Sequence, residues 1–224
     1  MLLRGLTVIV LALGSAAITM GSLAYFGEDL APFVIEKLPL PLEDVWMTAL
    51  RAHVVAAAFC LPACLLLLST ALVRRAAGFH RWLGRITAAA ILLVLLPSGF
   101  YLSLFAKGGL LSTLGFVLSG VIVAYAMVEG VRTARARRIG EHRRWARHVL
   151  AQLSVAVTSR ALLFAFDAAA VDEGVAYLVS LWLPVVGSFV LVELLSNPFW
   201  RNHEAPVPAR VPALGPRARR GSGA

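Results

Sequence analysis

Charge is scarce in this chain and cysteine almost absent. Asp, Glu, Lys and Arg make up 15% of 224 residues, well below the quarter or so usual in a soluble domain. The two cysteines, Cys60 and Cys64, sit in one apolar run, which excludes a disulfide scaffold. Acidic side chains are few: 12 Asp+Glu stand against 21 Lys+Arg, a net charge of +9. In a soluble protein that excess would point to nucleic acid. Here the charges lie between long apolar blocks, so nucleic acid is not expected as a partner. Catalytic signatures are missing too, with no HExxH, no GxSxG, no phosphate-binding glycine loop and no paired-carboxylate motif. No enzyme class is named by the sequence.

Hydrophobic residues fill 59% of the chain, the reverse of a disordered composition. A membrane-crossing helix needs about 20 mainly apolar residues. Six stretches qualify: 5–26, 46–72, 86–106, 110–131, 147–168 and 175–195. They predict an all-α fold, a polytopic transmembrane helix bundle of six spans over residues 1–198. The first stretch follows Arg4 and also has the look of a signal peptide, but its apolarity continues through Leu23–Phe26, so it reads as an uncleaved span. Pro62, Pro97 and Pro184 interrupt spans where neighbouring groups must take up the freed carbonyls. Gly14, Gly21, Gly115 and Ser119 suit close helix packing. The Pro/Ala/Arg-rich segment 199–224 reads as a disordered basic tail.

Orientation follows from the arginines. Arg74, Arg75, Arg81 and Arg85 fall in one loop, and Arg132, Arg135, Arg137, Arg138, Arg143, Arg144 and Arg147 in another. Arg4 and the tail arginines share that side, whereas the other side holds only Lys37, Arg51 and Lys107. Positive charge stays cytoplasmic, so both termini are expected inside a bacterial-type inner (plasma) membrane. The acidic 27–45 loop is expected outside, and the expected partners are the lipid bilayer and anionic headgroups at the arginine-rich loops.

Those two loops resemble each other. One carries His80-Arg81-Trp82-Leu83-Gly84-Arg85, the other His142-Arg143-Arg144-Trp145-Ala146-Arg147-His148. Arginine anchors topology and tryptophan prefers headgroup depth, which accounts for much of the likeness. With His53 at the start of the second span, a KGG turn before Gly115-Phe116, and Arg160 within the fifth span, the order resembles the bacterial multi-pass membrane proteins grouped as DUF2306. The resemblance covers roughly residues 50–165 and implies a membrane bundle; it carries no activity with it. The family's frequent glutamine after a Gly-Pro pair is absent, since the second span reads Leu61-Pro62-Ala63-Cys64.

Polar groups within a membrane are costly and mark function by default. Arg160 lies about 12 Å and His53 about 10 Å from the outer face, at 1.5 Å per residue. Asp167 follows Arg160 by seven residues and projects from nearly the same side. Arg51, His53, Arg160 and Asp167 are therefore expected to line one outward-facing ligand pocket, the alternative being an Arg160 brace to Asp167 or a carbonyl. At the cytoplasmic interface, His80, Arg81, Trp82, Arg85, His142, Arg143, Trp145, Arg147 and His148 form a second candidate site. Haem b or quinone is the cofactor type that its histidines would suit. Cys60 is too far from His53 for a shared metal, so no metal site is expected and both cysteines read as core. Glu129 and Glu193 are expected to pair with nearby arginines. Three functions remain open at this level: binding or transport of a small anionic or polar ligand, a redox protein, and a structural or regulatory bundle without a ligand.

Overall fold

The computed structural model describes residues 2–27, 32–40 and 42–196. The expected tail at 199–224 lies outside the described residues, as do Glu28 and Asp29 of the acidic loop. No strand occurs among the described residues. Six helices are long and apolar enough to cross a membrane: Gly5–Phe26, Glu43–Leu67, Ala77–Ser103, Gly109–Arg135, Ile139–Ala168 and Glu173–Ser196. These are called the first to sixth spans.

Several helices run beyond the apolar stretches that announce them. The third begins at Ala77 and the fifth at Ile139, taking in the HRWLGR and EHRRWARH segments. Hydropathy registers only the apolar centre, whereas helical bonding continues through the interface, where Arg, His and Trp keep a polar edge in water. The second span instead stops at Leu67, earlier than its apolarity does, and a separate short helix Thr70–Arg75 follows. There the Ser69 hydroxyl accepts from the Leu72 N–H at 3.4 Å, capping the new start. Arg132 and Arg135 close the fourth span, where their charge suits the negative helix end. At the opposite end Gly108 and Gly109 have φ of +83° and +65°, and this pair of left-handed residues makes the tight turn between the third and fourth spans.

Between apolar helices in lipid, association rests on close packing. Ala56, Cys60, Cys64, Ile91, Leu95, Val123, Ala126 and Val149 form the central core from the second to fifth spans. Gly115 lets Leu181 and Trp182 of the sixth span approach; a Cβ there would lie 2.8 Å from Leu181 Cδ2. The first span packs on the second and on the fifth, where Gly14 meets Val157.

Near mid-depth two spans lose regular helix. The third makes a π turn at Ile91–Leu95 just before Pro97 and the fifth breaks between Leu153 and Val155, while the second and sixth carry Pro62 and Pro184 inside continuous helices. Irregular backbone at that depth is tolerated where protein or a polar cavity satisfies it, and π turns gather at functional sites. Away from the arginines, Lys107 ties the loops together, with Nζ 2.8 Å from Glu36 and 2.7 Å from Glu173. Hydrogen bonds to Glu173 and Glu36 raise the Lys107 pKa above the usual lysine range, and the bond to Lys107 lowers that of Glu36.

Candidate functional site

Polar side chains within the bundle gather at three levels. Farthest from the arginine-rich loops, the third-span break sets the position of His53. Its Nδ1 lies 3.1 Å from the Leu95 carbonyl and 3.2 Å from Ser98 Oγ. A carbonyl only accepts, so Nδ1 carries the proton and, in the neutral ring, Nε2 offers a lone pair. That nitrogen makes no hydrogen bond among the described residues. Gly99 provides the room: a Cβ there would stand 3.0 Å from His53 Cε1.

Arg160 lies within electrostatic range of both His53 and Tyr177. Its side chain is exposed, and its one hydrogen bond runs from Nη1 to the Ala156 carbonyl on its own helix, at 2.9 Å. No carboxylate pairs with it among the described residues, and no ion pair joins it to the exposed Asp167. Arg51 stands apart. Two positions from His53, it is turned some 200° around the helix. Its Nε donates to the Tyr25 carbonyl at 2.9 Å and its guanidinium lies 5.9 Å from the Phe26 ring centroid. There it lines a separate groove of about 560 Å³ with Thr48, Val55, Phe59 and Val94. No hydrogen bond or ion pair among the described residues joins any two of His53, Arg160, Arg51 and Asp167; Arg160 acts on His53 through electrostatics alone. Tyr177, one turn into the sixth span, was not singled out from the sequence, where a tyrosine near a helix end reads as an interface anchor.

The middle level is held by a buried amide. Gln152 Oε1 accepts from Ser119 Oγ at 2.9 Å, while Nε2 donates to the Val185 carbonyl at 2.9 Å and to Ser188 Oγ at 3.0 Å. One side chain thereby ties the fourth, fifth and sixth spans beside the fifth-span break and Pro184. Its sequence signal was present but small: a glutamine four residues after His148 in an otherwise apolar stretch.

At the arginine-rich end the second set of candidates divides. His80 and His142 lie within electrostatic range of each other, and His142 Nδ1 is 2.9 Å from the Gly130 carbonyl. Arg81, Trp82, Arg85 and Arg143 are exposed, Trp82 stacking on Phe79 with centroids 5.7 Å apart. His148 belongs to the fifth–sixth interface instead. It is fully buried, its Nε2 lies 2.8 Å from Glu193 Oε1, and Arg144 pairs with the other Glu193 oxygen. Arg147 Nη1 reaches Ser196 Oγ at 3.3 Å. Trp145 and Phe189 flank the His148 ring, with centroids 5.6 Å and 5.1 Å away. Glu129 pairs with Arg132 at 2.8 Å. Among the described residues no three His, Cys, Asp or Glu side chains gather to hold a metal ion, and Cys60 and Cys64 are core residues.

The six apolar spans agree with the membrane bundle that the resemblance implied, and HRWLGR, EHRRW and Arg160 are the residues that carried it. A family model described as "Predicted membrane protein (DUF2306)" matches residues 50–196. The chain belongs to the DUF2306 family. The match runs from the second span through the sixth, past the stretch that carries the resemblance, and takes in all three polar levels. It makes the chain an integral multi-pass membrane protein. No curated protein and no solved structure matches it.

Proposed function

We propose that this DUF2306 protein binds, and by extension transports, a small anionic or polar ligand at Arg160 and His53. The observation that carries the reading is the guanidinium of Arg160. It sits within a membrane span with a single carbonyl partner and no counter-ion among the described residues. Guanidinium stays charged when buried and presents five donors in a planar fork suited to a carboxylate or phosphate. His53 supports the same reading, because its fixed Nδ1 leaves Nε2 to accept from a ligand hydroxyl. The mid-depth irregularities of the third and fifth spans support the same reading, since transporters build binding sites on discontinuous helices.

Positive-inside placement sets the arginine-rich loops and both termini in the cytoplasm of a bacterial inner membrane, with anionic headgroups at those loops. The Arg160 level then opens outward. The test is a melting-temperature screen of detergent-purified protein against small carboxylates and phosphates. A true ligand raises the melting temperature of wild type and loses at least tenfold in affinity with Arg160→Lys, which keeps the charge but not the fork. An anion response identical in wild type and Arg160→Lys contradicts the reading.

A further inference from the structure

The groove beside Arg51 lies on the lipid-facing surface where the first, second and third spans meet. Its volume of about 560 Å³ is several times the roughly 150 Å³ that holds one benzene ring, so it suits a long occupant. Along the second span, Thr48, Ala52, Val55 and Phe59 follow at steps of three and four residues and form one wall. Val55, Phe59 and Val94 are exposed, so the groove is open to the membrane along its side. Thr48 and Phe59 are eleven residues apart on one helix, about 16 Å at 1.5 Å per residue. Half of a hydrocarbon core of about 30 Å is about 15 Å. The groove therefore has the depth of one leaflet, which is the reach of one acyl chain.

Arg51 gives the groove a charged end. Helical side chains lean toward the N-terminus of their helix, which on the second span is the end at Glu43, away from the arginine-rich loops. The guanidinium accordingly meets the last turn of the first span, where Nε donates to the Tyr25 carbonyl and the Phe26 ring lies beneath the group. The other four N–H donors make no hydrogen bond, and no carboxylate pairs with Arg51, among the described residues. Apolar walls with one unpaired cation at the interfacial end complement a molecule that has a long apolar chain and an anionic head. The planar fork of arginine matches two oxygens of a phosphate, and a phospholipid has both parts.

We infer that this groove is a phospholipid site, with one acyl chain lying along Val55 and Phe59 and the lipid phosphate accepting from the free donors of Arg51. A free phosphate lacks the chain and a diacylglycerol lacks the anion, so neither matches both ends. His53 and Arg160 are not part of the lining. The site is thus separate from the proposed ligand site, and failure of either leaves the other untouched.

The experiment is native mass spectrometry of the full chain released from detergent micelles after titration with phosphatidylglycerol. Wild type should retain one lipid saturably. A diacylglycerol with the same chains, and glycerol phosphate with none, should each bind at least tenfold more weakly. Arg51→Gln keeps a donor for the Tyr25 carbonyl but loses the charge and the fork, and should weaken retention at least tenfold. Val55→Trp fills the groove from its exposed side while Arg51 stays in place, and should do the same. Leu191→Trp, at an exposed position of the sixth span, should leave retention unchanged. If Arg51→Gln does not fold, Val55→Trp and the two lipid fragments carry the decision. Equal retention in wild type and Arg51→Gln, equal affinity for phosphatidylglycerol and either fragment, retention unaltered in Val55→Trp, or a dimer that carries no lipid overturns the proposal.

Discussion

Gln152 shows how much a single polar side chain contributes in this bundle. Lipid offers helices no hydrophobic reason to associate, so hydrogen bonds and close contacts must hold them. Interhelical hydrogen bonds measured in membranes average about 0.6 kcal/mol each. Gln152 makes three, to Ser119, Val185 and Ser188. Gln152→Leu keeps the size and removes all three, leaving the hydroxyls of Ser119 and Ser188 to seek other partners. It should destabilise the protein by about 2 kcal/mol in SDS-titration unfolding; no measurable change would show that the amide is redundant. Arg160 is the opposite case. Its single carbonyl bond is on its own helix, so no hydrogen bond or ion pair of Arg160 among the described residues ties one helix to another. This is why its replacement by lysine is expected to alter binding more than stability.

Among the elements, the third span decides where the His53 ring lies. Its π turn and Pro97 disturb the backbone at Ile91–Leu95, and His53 and Ser98 hydrogen-bond to the Leu95 carbonyl there. Gly99, one turn on, leaves the gap that the imidazole occupies. Gly99→Ala would press on the His53 ring, costing about 1–3 kcal/mol by overpacking and weakening the anion response through His53. Gly187→Ala meets nothing within 4 Å and should leave both unchanged in the same melting experiment; equal effects from the two would remove His53 from the account. The elements were legible in the sequence to very different degrees. Apolar runs longer than 18 residues disclose six spans because no other structure satisfies the backbone in lipid. Helix ends were less visible, since the HRWLGR and EHRRWARH segments are polar by composition yet helical by continuity. Pro97 announced a break, while the π turn that precedes it has no residue signature in ILLVL. The separation of Arg51 from His53 followed from helical periodicity alone, and reasoning by depth below the membrane face obscured it.

For the molecule as a whole, the polar groups divide by level. Arg160, His53 and Tyr177 lie toward one face, Gln152 and its partners at the centre, and His148 with Glu193 and Arg144 toward the other. Leu181, packed against Gly115, and Val185, both buried with Val155, form dry packing within this layered interior. The sequence disclosed the two ends because arginine, histidine and tryptophan cluster there. It could not disclose their pairing across helices, which depends on rotation and packing. Glu193, 45 residues from His148, is the clearest example. The central claim is that Arg160 faces an aqueous space open to the outside of the cell. The most direct measurement labels Arg160→Cys in intact cells with a charged, membrane-impermeant maleimide, which reacts only with a water-exposed thiol that can ionise. Native Cys60 and Cys64 are buried and give the background. The account predicts labelling from outside, well above wild type; labelling only in inside-out vesicles, or only after SDS denaturation, would contradict it.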